Sequence, residues 1–316
     1  MALNPIPIAT KGAPHTAQMF RMMIRDLARG NQGITSGSHL KVTALATPGA
    51  GVQIADGSAV IAGKANPVQG HYNAYNIGTD TVNIASTGST TRSDMVILRV
   101  LDPEYEGTRN PATDQIVFFD VISNVSSSAT TVPAGYSAIP LARIDIPAST
   151  ATITNAMIKD LRGIANPQRS TLQFQYFQST LYELTKRDSA WYAWPAPANV
   201  SVPIPAWATS AKILWFVAGL RMSGGNVDGA LTFKLGTKQA AQYVNIDDNQ
   251  GTGLRRGTLV SADTISLTDT AGAAMRGTTQ TLQSMMMLRN TASTGTIGAD
   301  GATTFVAQVE FTEGPI

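Results

Sequence analysis

Apolar residues near the N-terminus recur at the spacing of one helix face. In residues 16–29 the face is formed by Met19, Phe20, Met23, Ile24 and Leu27. These positions lie three or four residues apart along one face, Thr16 is of the type that caps a helix start, and Gly30 is of the type that follows a helix end. The pattern predicts a helix that packs on its own domain or, because Met-rich faces adapt to irregular partners, docks on another subunit.

From residue 40 the pattern changes to short alternating runs that are broken by Gly, Asn, Asp and Pro. The predicted strands are 40–45, 52–55, 58–62, 71–77, 81–85, 94–101, 115–122 and 139–146. Strands that follow one another with turn residues between them indicate an antiparallel β-sandwich or barrel, which we place at residues 31–165. Residues 155–162 are predicted to close this domain with a helical turn.

The next segment, residues 168–186, contains neither Gly nor Pro. Its apolar positions Phe174, Phe177, Leu181 and Leu184 are spaced 3, 4 and 3 apart, which is the spacing of a two-heptad seam. We therefore predict a short linker helix over residues 166–188. Its apolar side packs either on a flanking domain or on the same helix of other copies, in which case these four residues form an oligomer interface.

A second group of predicted strands follows an aromatic and Pro-rich segment at 188–198. The strands are 199–204, 211–221, 229–235, 240–246, 258–266, 280–289 and 303–312, and the segments 268–279 and 290–302 are predicted loops. Their number and spacing favour one jelly-roll-like β-sandwich over residues 189–316. The fold class predicted for the whole chain is mainly β.

Composition narrows the functional classes. The 316-residue chain has 23 Lys and Arg against 21 Asp and Glu, a formal net charge of +2, which argues against a basic nucleic-acid surface. It has no cysteine, which excludes disulfides, zinc-thiolate sites and thiol catalysis. No apolar run reaches the ~18 residues of a membrane span, and the first eight residues show no secretory signal pattern, so we expect neither feature.

Few residues offer catalytic or cofactor chemistry. His15, His39 and His71 are not at metal-ligand spacing, and the nucleophile-elbow, P-loop and dinucleotide-binding motifs are absent, so we expect no catalytic residue, no cofactor and no metal. Each of two acidic segments has two possible interpretations. The segment 102–106 (DPEYE) could supply a glycosidase carboxylate pair but looks like a surface turn. Asp247-Asp248-Asn249 could bind Ca²⁺, although a hairpin turn is the commoner use of these residues.

Aromatic residues concentrate at the start of the second predicted domain. Trp191, Tyr192 and Trp194 are the best candidates for glycan contact, whereas Trp215 lies in an apolar strand and is predicted to be core. Large aromatics usually supply core or interface area, so core or subunit contact is the favoured interpretation of the whole cluster.

Several blocks of the first predicted domain carry a resemblance to a known family. The blocks are 33–37 (GITSG), 40–44 (LKVTA), 51–63 (GVQIADGSAVIAG), 70–72 (GHY), 91–97 (TRSDMVI), 102–105 (DPEY), 139–144 (IPLARI), and 153–154 with 158–162 (IT and IKDLR). Together they resemble minor tail proteins of siphophages that infect actinobacteria. Their order and spacing carry the resemblance, which covers a little under half of the chain.

The resemblance implies a virion protein of the tail tip or baseplate. Residues 1–30 would be an N-terminal extension and helix, 31–165 a tail-docking β-domain, and 189–316 a distal domain that meets the host. The implied partners are other tail-tip proteins, host surface polysaccharide and, by analogy with tail fibres, two further copies in a homotrimer. The Arg-x-Asp pair Arg92 and Asp94 is interpreted as structural. The rival hypotheses are a polysaccharide depolymerase and a bacterial adhesin or carbohydrate-binding module.

Overall fold

The computed structural model describes residues 7–289 and 293–316 and divides the chain into two units. The first unit comprises the residues up to 167 together with 314–316, and the second comprises 168–313. Both are built from antiparallel sheets, and a helix precedes them, so the predicted mainly β class is confirmed. The beginning of the predicted N-terminal extension (1–6) and part of the predicted loop 290–302 (290–292) lie outside the described residues.

The predicted N-terminal helix is present as α1 (Ala17–Leu27). The Thr16 hydroxyl accepts a hydrogen bond from the Met19 amide at 3.3 Å, and the Met19 sulfur accepts one from the Thr16 amide, so the first turn is capped reciprocally. Gly30 has φ +75°, the left-handed geometry that follows a helix end.

The face that α1 packs inward differs from the apolar face that the sequence predicts. Arg21 is buried, and Ile24 packs with Ala28, Val60 and Ala165. Three of the predicted apolar positions are exposed instead, namely Phe20 (47%), Met23 (37%) and Leu27 (72%). The helix therefore presents an apolar stripe to its surroundings.

The strands of the first unit form three antiparallel sheets. They are β1 (Gly33–Ile34), β2 (Val42–Ala44), β3 (Gly51–Ile54), β4 (Gly57–Ala62), β5 (His71–Asn76), β6 (Asp80–Asn83), β7 (Arg92–Val100), β8 (Val117–Ile122), β9 (Ala138–Ile146) and β10 (Ile158–Asp160). The strand orders are β1-β4-β5, β2-β3-β6 and β10-β9-β7-β8. Side chains from all three sheets meet in one core, which includes Ile34, Val52, Ile61, Val96 and Ile144.

The segment predicted to close this unit with a helical turn does so only in part. Residues Asn155–Met157 form one 3₁₀ turn, and the chain then continues as β10, which pairs with β9. Arg162 follows β10 and donates hydrogen bonds to the backbone oxygens of His39 (2.6 Å) and Ile316 (3.0 Å). The last residues of the chain are thus bound to the first unit rather than to the predicted distal domain.

The second unit is a sandwich of two sheets. Its elements are β11 (Arg169–Phe177), β12 (Tyr182–Leu184), β13 (Tyr192–Ala193), β14 (Asn199–Pro203), β15 (Ser210–Ser223), β16 (Val227–Leu235), β17 (Lys238–Gln239), β18 (Val244–Asp248), β19 (Arg255–Ser266), α2 (Thr270–Ala273), β20 (Thr279–Leu288), β21 (Thr296–Ala299) and β22 (Thr304–Thr312). We name the sheets after their central strands. The β15 sheet has the order β11-β22-β15-β21-β12 with β19 also on β15, and the β16 sheet has the order β13-β20-β16-β17 with β14 on β20 and β18 on β16.

The pairing of the eight main strands confirms the jelly-roll-like sandwich. In chain order the first strand, β11, pairs with the last, β22; β14 pairs with β20, β15 with β19, and β16 with β18. This nesting is that of one long hairpin rolled into two sheets, which is how a jelly roll combines two Greek keys. The inner faces enclose a core whose largest buried side chains are Trp194, Trp215, Phe233, Phe305 and Phe311.

The predicted linker helix over 166–188 is wrong. Residues 169–177 form β11, which pairs with β22 at nine consecutive positions, and β12 follows at 182–184. Leu172, Phe174 and Tyr176 pack on the core, while the residues between them are exposed. Apolar residues at every second position thus occur in the same segment as the heptad-like spacing. Pairing with β22 selects the strand, because β22 supplies hydrogen bonds to the backbone N–H and C=O groups of a segment with one buried face.

Strand β15 contains a bulge at Gly219 that changes its partner. Before the bulge β15 pairs with β22, and after it with β21. Gly219 has φ +74°, and a Cβ atom there would lie 2.1 Å from the backbone oxygen of Ala302. Only glycine fits this position without movement of the neighbouring backbone.

Candidate functional site

The acidic segment 102–106 binds the N-terminal helix. The Arg21 guanidinium donates to Asp102 Oδ2 at 3.2 Å, to Glu104 Oε2 at 2.7 Å and to the Tyr105 hydroxyl at 2.9 Å. Its Nε donates to the backbone oxygen of Gln69 at 2.8 Å. The guanidinium also lies 5.1 Å from the centre of the Tyr105 ring, within cation–π range.

The same network holds a tyrosine in its protonated form. The Tyr72 hydroxyl donates to Asp102 Oδ2 at 2.8 Å and accepts from the Gln69 amide at 2.9 Å. Burial raises the pKa of Tyr72, and the neighbouring carboxylate of Asp102 raises it further. Glu106 pairs separately with Arg99 at 2.9 Å. The carboxylates of 102–106 are therefore engaged by arginines and hold the first unit together, a larger role than that of a surface turn.

The Arg-x-Asp pair forms the structural contact that the sequence indicates. Arg92 Nε donates to both Asp94 oxygens, at 2.8 and 3.0 Å, and Arg92 Nη1 donates to the backbone oxygen of Ser86 at 3.1 Å. Asp94 is 1% exposed and accepts from the Asn124 amide at 3.0 Å. This pair stabilises the start of β7.

The Asp247-Asp248-Asn249 segment ends β18 and turns towards β19. The carboxylate of Asp248 accepts from Arg255 Nε at 2.7 Å, and Asp247 accepts from the Asn249 amide at 2.7 Å. An arginine thus engages one carboxylate of the segment. The predicted hairpin turn is wrong, because β18 pairs with β16 and β19 with β15, so the segment connects strands of two different sheets. In residues 7–289 and 293–316 no three His, Asp or Glu side chains cluster in a way that could hold a metal ion.

The structure separates the four residues of the predicted oligomer seam. Phe174 packs against the core of the second unit, and Leu184 is buried in it. Phe177 and Leu181 are exposed, by 63% and 52%. The helical seam is therefore wrong, and Phe174 and Leu184 are core residues because strand pairing turns their side chains inward.

Of the aromatic residues proposed to contact glycan, Trp194 is placed in the core. It is 0% exposed, and its ring lies 5.9 Å from that of Phe305 in an edge-to-face arrangement. Glycan contact is consequently wrong for Trp194. Trp215 is also buried, as its apolar strand predicts.

Trp191 and Tyr192 lie at the edge of the β16 sheet and are partly buried, and Tyr192 also packs against the core of the second unit. Tyr192 pairs with Met286 at the start of β13, and Trp191 immediately precedes it. The Trp191 ring lies 5.9 Å from the ring of Tyr243, at an interplanar angle of 60°. Tyr243 is 52% exposed. We call the three residues Trp191, Tyr192 and Tyr243 the aromatic platform.

Charged groups flank the aromatic platform. The Lys186 ammonium lies 4.9 Å from the centre of the Tyr192 ring, and the Tyr192 hydroxyl donates a hydrogen bond to Asp188. That hydrogen bond lowers the pKa of Asp188 and raises that of Tyr192. The surface therefore offers aromatic faces beside one carboxylate, one ammonium and one hydroxyl, a combination suited to a ligand with both apolar ring faces and hydroxyl groups.

Sequence reasoning did not single out Tyr243. It lies in the loop before β18, far along the chain from Trp191. No local signal marks it, because the two rings meet only when β13 and β18 join the same sheet.

Comparisons with known proteins do not assign a family. No protein-family model matches the chain, and no curated protein matches it significantly. A structure of the infectious bursal disease virus VP2 subviral particle has a TM-score of 0.28 and 9% identity, covering 94% of this chain and 86% of that chain. The Cry4Aa toxin from Bacillus thuringiensis gives 0.22 and 8%, covering 89% and 54%.

A further solved structure, BuGH86E322Q in complex with neoagarooctaose, gives a TM-score of 0.20 and 10% identity, covering 83% of this chain and 32% of that chain. Scores at this level do not establish a shared fold, and nothing about function follows from them. In the part of the chain that the structure describes, no helix is long and apolar enough to cross a membrane.

Proposed function

We propose that this chain is a non-catalytic structural protein of a bacteriophage tail tip or baseplate. Its first unit docks on the tail, and its jelly-roll unit attaches to a host surface glycan. The observation that carries the proposal is the aromatic platform, where the ring of Trp191 meets that of the half-exposed Tyr243 in the second unit.

The location in a virion is supported by the resemblance of the first unit to minor tail proteins. The blocks that carry this resemblance fall in β1 to β5, β7, β9 and β10 and in the Arg21-binding segment 102–105. They therefore belong to one folded unit with one core. A docking role for this unit is further supported by the exposed stripe Phe20, Met23 and Leu27 on α1, since exposed apolar patches mark interaction sites.

A binding role is favoured over hydrolysis because the candidate carboxylates are already paired. Asp102 and Glu104 contact Arg21, Glu106 contacts Arg99, and Asp248 contacts Arg255. A carboxylate whose oxygens are engaged by an arginine has fewer of them free to contact a substrate.

The test measures binding of the full-length protein to immobilised cell-wall polysaccharide from actinobacterial hosts. Replacing Trp191 and Tyr243 together with Ala should weaken binding at least tenfold, about 1.4 kcal/mol, because two stacking faces are lost. Tyr75→Ala is the matched control, since Tyr75 is 71% exposed but lies on β5 of the first unit. Equal binding by the wild type and the double variant, at unchanged thermal stability, would remove the platform from the proposal.

The same incubation distinguishes the binder from a depolymerase. The wild-type protein should release no reducing ends from the polysaccharide, whereas a depolymerase would release them in proportion to time. Immunogold labelling of phage particles separates a tail protein from a bacterial adhesin. An epitope tag for this purpose belongs in the turn at 249–254 of the second unit, because residues 314–316 are part of the first unit.

A further inference from the structure

The outer edge of β11 carries a row of backbone groups without partners. β11 pairs with β22 on one side only. The Glu313 amide donates to the Gln168 oxygen at 3.0 Å, so even-numbered residues of β11 point their N–H and C=O groups towards β22 and odd-numbered residues point theirs away. Among the described residues, no hydrogen bond reaches the backbone groups of the odd-numbered positions, which are Arg169, Thr171, Gln173, Gln175 and Phe177.

The other long edge of the same sheet is closed to a further strand. On β19 the Asp263 carboxylate accepts from the outward amide of Thr264 at 2.7 Å and from the Ala241 amide at 2.7 Å. The Lys238 ammonium donates to the outward backbone oxygen of Ser266 at 2.8 Å. Side chains thus occupy backbone groups and approach positions that an incoming strand would need.

Two shorter edges are blocked by other means. On β8 the Asp120 carboxylate accepts from the outward amide of Val121 at 2.9 Å, and on β14 the outward position Pro203 has no N–H group. Proteins protect open sheet edges with charges, prolines and bulges, because an open edge is a template for strand addition. β11 contains no Lys, Pro or Gly, pairs with β22 without a bulge, and has Arg169 at its start as its one charge.

The inward side chains of β11 are incompletely covered. Leu172, Phe174 and Tyr176 pack on the core but are only partly buried. On the neighbouring strand β22, Phe305 is 1% and Val309 is 0% exposed. A further strand beside β11 would cover these three side chains with every second residue, and its remaining residues would lie beside the polar outward side chains of β11. The edge therefore fits an extended segment with apolar residues at alternate positions.

We propose that an extended polypeptide segment of another protein adds to β11 as an antiparallel strand. The partner is a polypeptide because a second extended backbone supplies acceptors and donors at the spacing of this row, whereas a glycan or a phosphate does not. A strand of nine residues is about 30 Å long, so two copies of this chain that meet edge to edge would bury roughly 300 Å² each, well below the ~800 Å² per partner of a stable pair. A flexible segment can follow the twist of β11 and also cover its inward side chains. The aromatic platform belongs to the β16 sheet, so this proposal does not rest on glycan binding.

The probe is a fluorescently labelled peptide with the sequence of residues 303–313 (TTFVAQVEFTE), titrated with the full-length protein. It has the required alternation, and its fluorescence anisotropy should rise to saturation. With its apolar residues inward and its direction antiparallel, the N–H groups of Val306 and Gln308 face β11, whereas those of Ala307 and Val309 face away. N-methylation at 306 and 308 should weaken binding at least about tenfold, because two hydrogen bonds are lost. N-methylation at 307 and 309 is the matched control and should leave binding unchanged.

Substitutions in β11 test the same edge from the protein side. Gln173→Pro removes one outward N–H in the middle of the strand without removing a hydrogen bond of the fold, and it should weaken binding of the peptide at least about tenfold. Gln173→Thr is the matched control, because it changes the same exposed side chain and keeps the backbone N–H. Circular dichroism checks that both variants fold, and the two methylated peptides decide the question if Gln173→Pro does not.

Four results would overturn the proposal. They are the absence of saturable binding, equal effects of the two methylations or the reverse order of their effects, and equal binding of the peptide by folded Gln173→Pro and the wild type. The fourth is a wild-type mass of two chains, measured by light scattering without peptide, that Gln173→Pro reduces to the 33.3 kDa of one chain. That result would assign the edge to a second copy of this protein.

Discussion

Replacing Arg21 with Met should destabilise the first unit while leaving the second unchanged. The substitution keeps an apolar stem of similar length on α1 and removes the guanidinium that contacts Gln69, Asp102, Glu104 and Tyr105. Breaking a buried ion pair by removing one partner costs about 3–5 kcal/mol when the remaining charge stays buried.

The expected loss for Arg21→Met is smaller than this general value for two structural reasons. The Glu104 side chain is 51% exposed and can be hydrated when Arg21 is absent. The Asp102 side chain is only 14% exposed, but it still accepts from the Tyr72 hydroxyl and from the Glu104 amide. We therefore expect a loss of about 2–4 kcal/mol in the free energy of unfolding.

The distribution of tryptophan makes the two units separately observable. All four Trp residues lie between positions 191 and 215, in the second unit, so Trp fluorescence in urea reports that unit alone. Hydrogen exchange of the β7 amides reports the first unit. Arg21→Met should speed exchange in β7 and leave the midpoint of the fluorescence transition unchanged.

Arg25→Met is the matched control on the same helix. Arg25 pairs only with its exposed neighbour Asp26 among the contacts of the described residues, so its loss should cost less than about 0.5 kcal/mol. If Arg21→Met altered β7 exchange no more than Arg25→Met does, the network would not stabilise the first unit and the reasoning would fail.

Three further outcomes follow from the fold. Gly219→Ala should destabilise the second unit by about 1–3 kcal/mol, measured by Trp fluorescence in urea, because φ is +74° and the new Cβ would lie 2.1 Å from the Ala302 backbone oxygen. An unchanged unfolding midpoint would contradict the bulge geometry. Trp194→Ala should cost about 3–5 kcal/mol by the same assay, and a smaller loss with weakened glycan binding would reverse its assignment to the core. Above pH ~10 the folded state keeps the Tyr72 proton while the unfolded state releases it, so the free energy of unfolding should fall as the pH rises in that range. Tyr72→Phe should make this pH dependence weaker. The same pH dependence in both proteins would refute the raised pKa of Tyr72.

Local sequence patterns were sufficient to predict helix ends and strand positions, which depend on backbone geometry over a few residues. The capping residue Thr16 and the glycine at position 30 bound α1 within a residue or two of the prediction. Alternating apolar positions between turn residues located strands such as β4, β7 and β22, because a strand with one buried face repeats every two residues.

Residues 168–186 show where the local pattern was ambiguous. Phe174, Phe177, Leu181 and Leu184 have helical spacing, while Leu172, Phe174 and Tyr176 have strand spacing. Both patterns are present in the same residues, and the choice belongs to β22, which supplies the hydrogen bonds from the other end of the domain. A pairing partner so distant in sequence cannot be recognised from the residue pattern of the segment itself.

The contacts at the proposed sites are likewise products of tertiary structure. Arg21 looks like a solvent-facing residue on an amphipathic helix until the fold brings Asp102 and Glu104 to it. Trp191 meets Tyr243 only because two strands enter one sheet. The sequence by itself located most of the strands outside residues 155–188 and the two ends of α1, since those depend on backbone geometry within a few residues. Only the tertiary structure decided which charges pair and which aromatics stay exposed, because burial is a property of the neighbours that folding supplies.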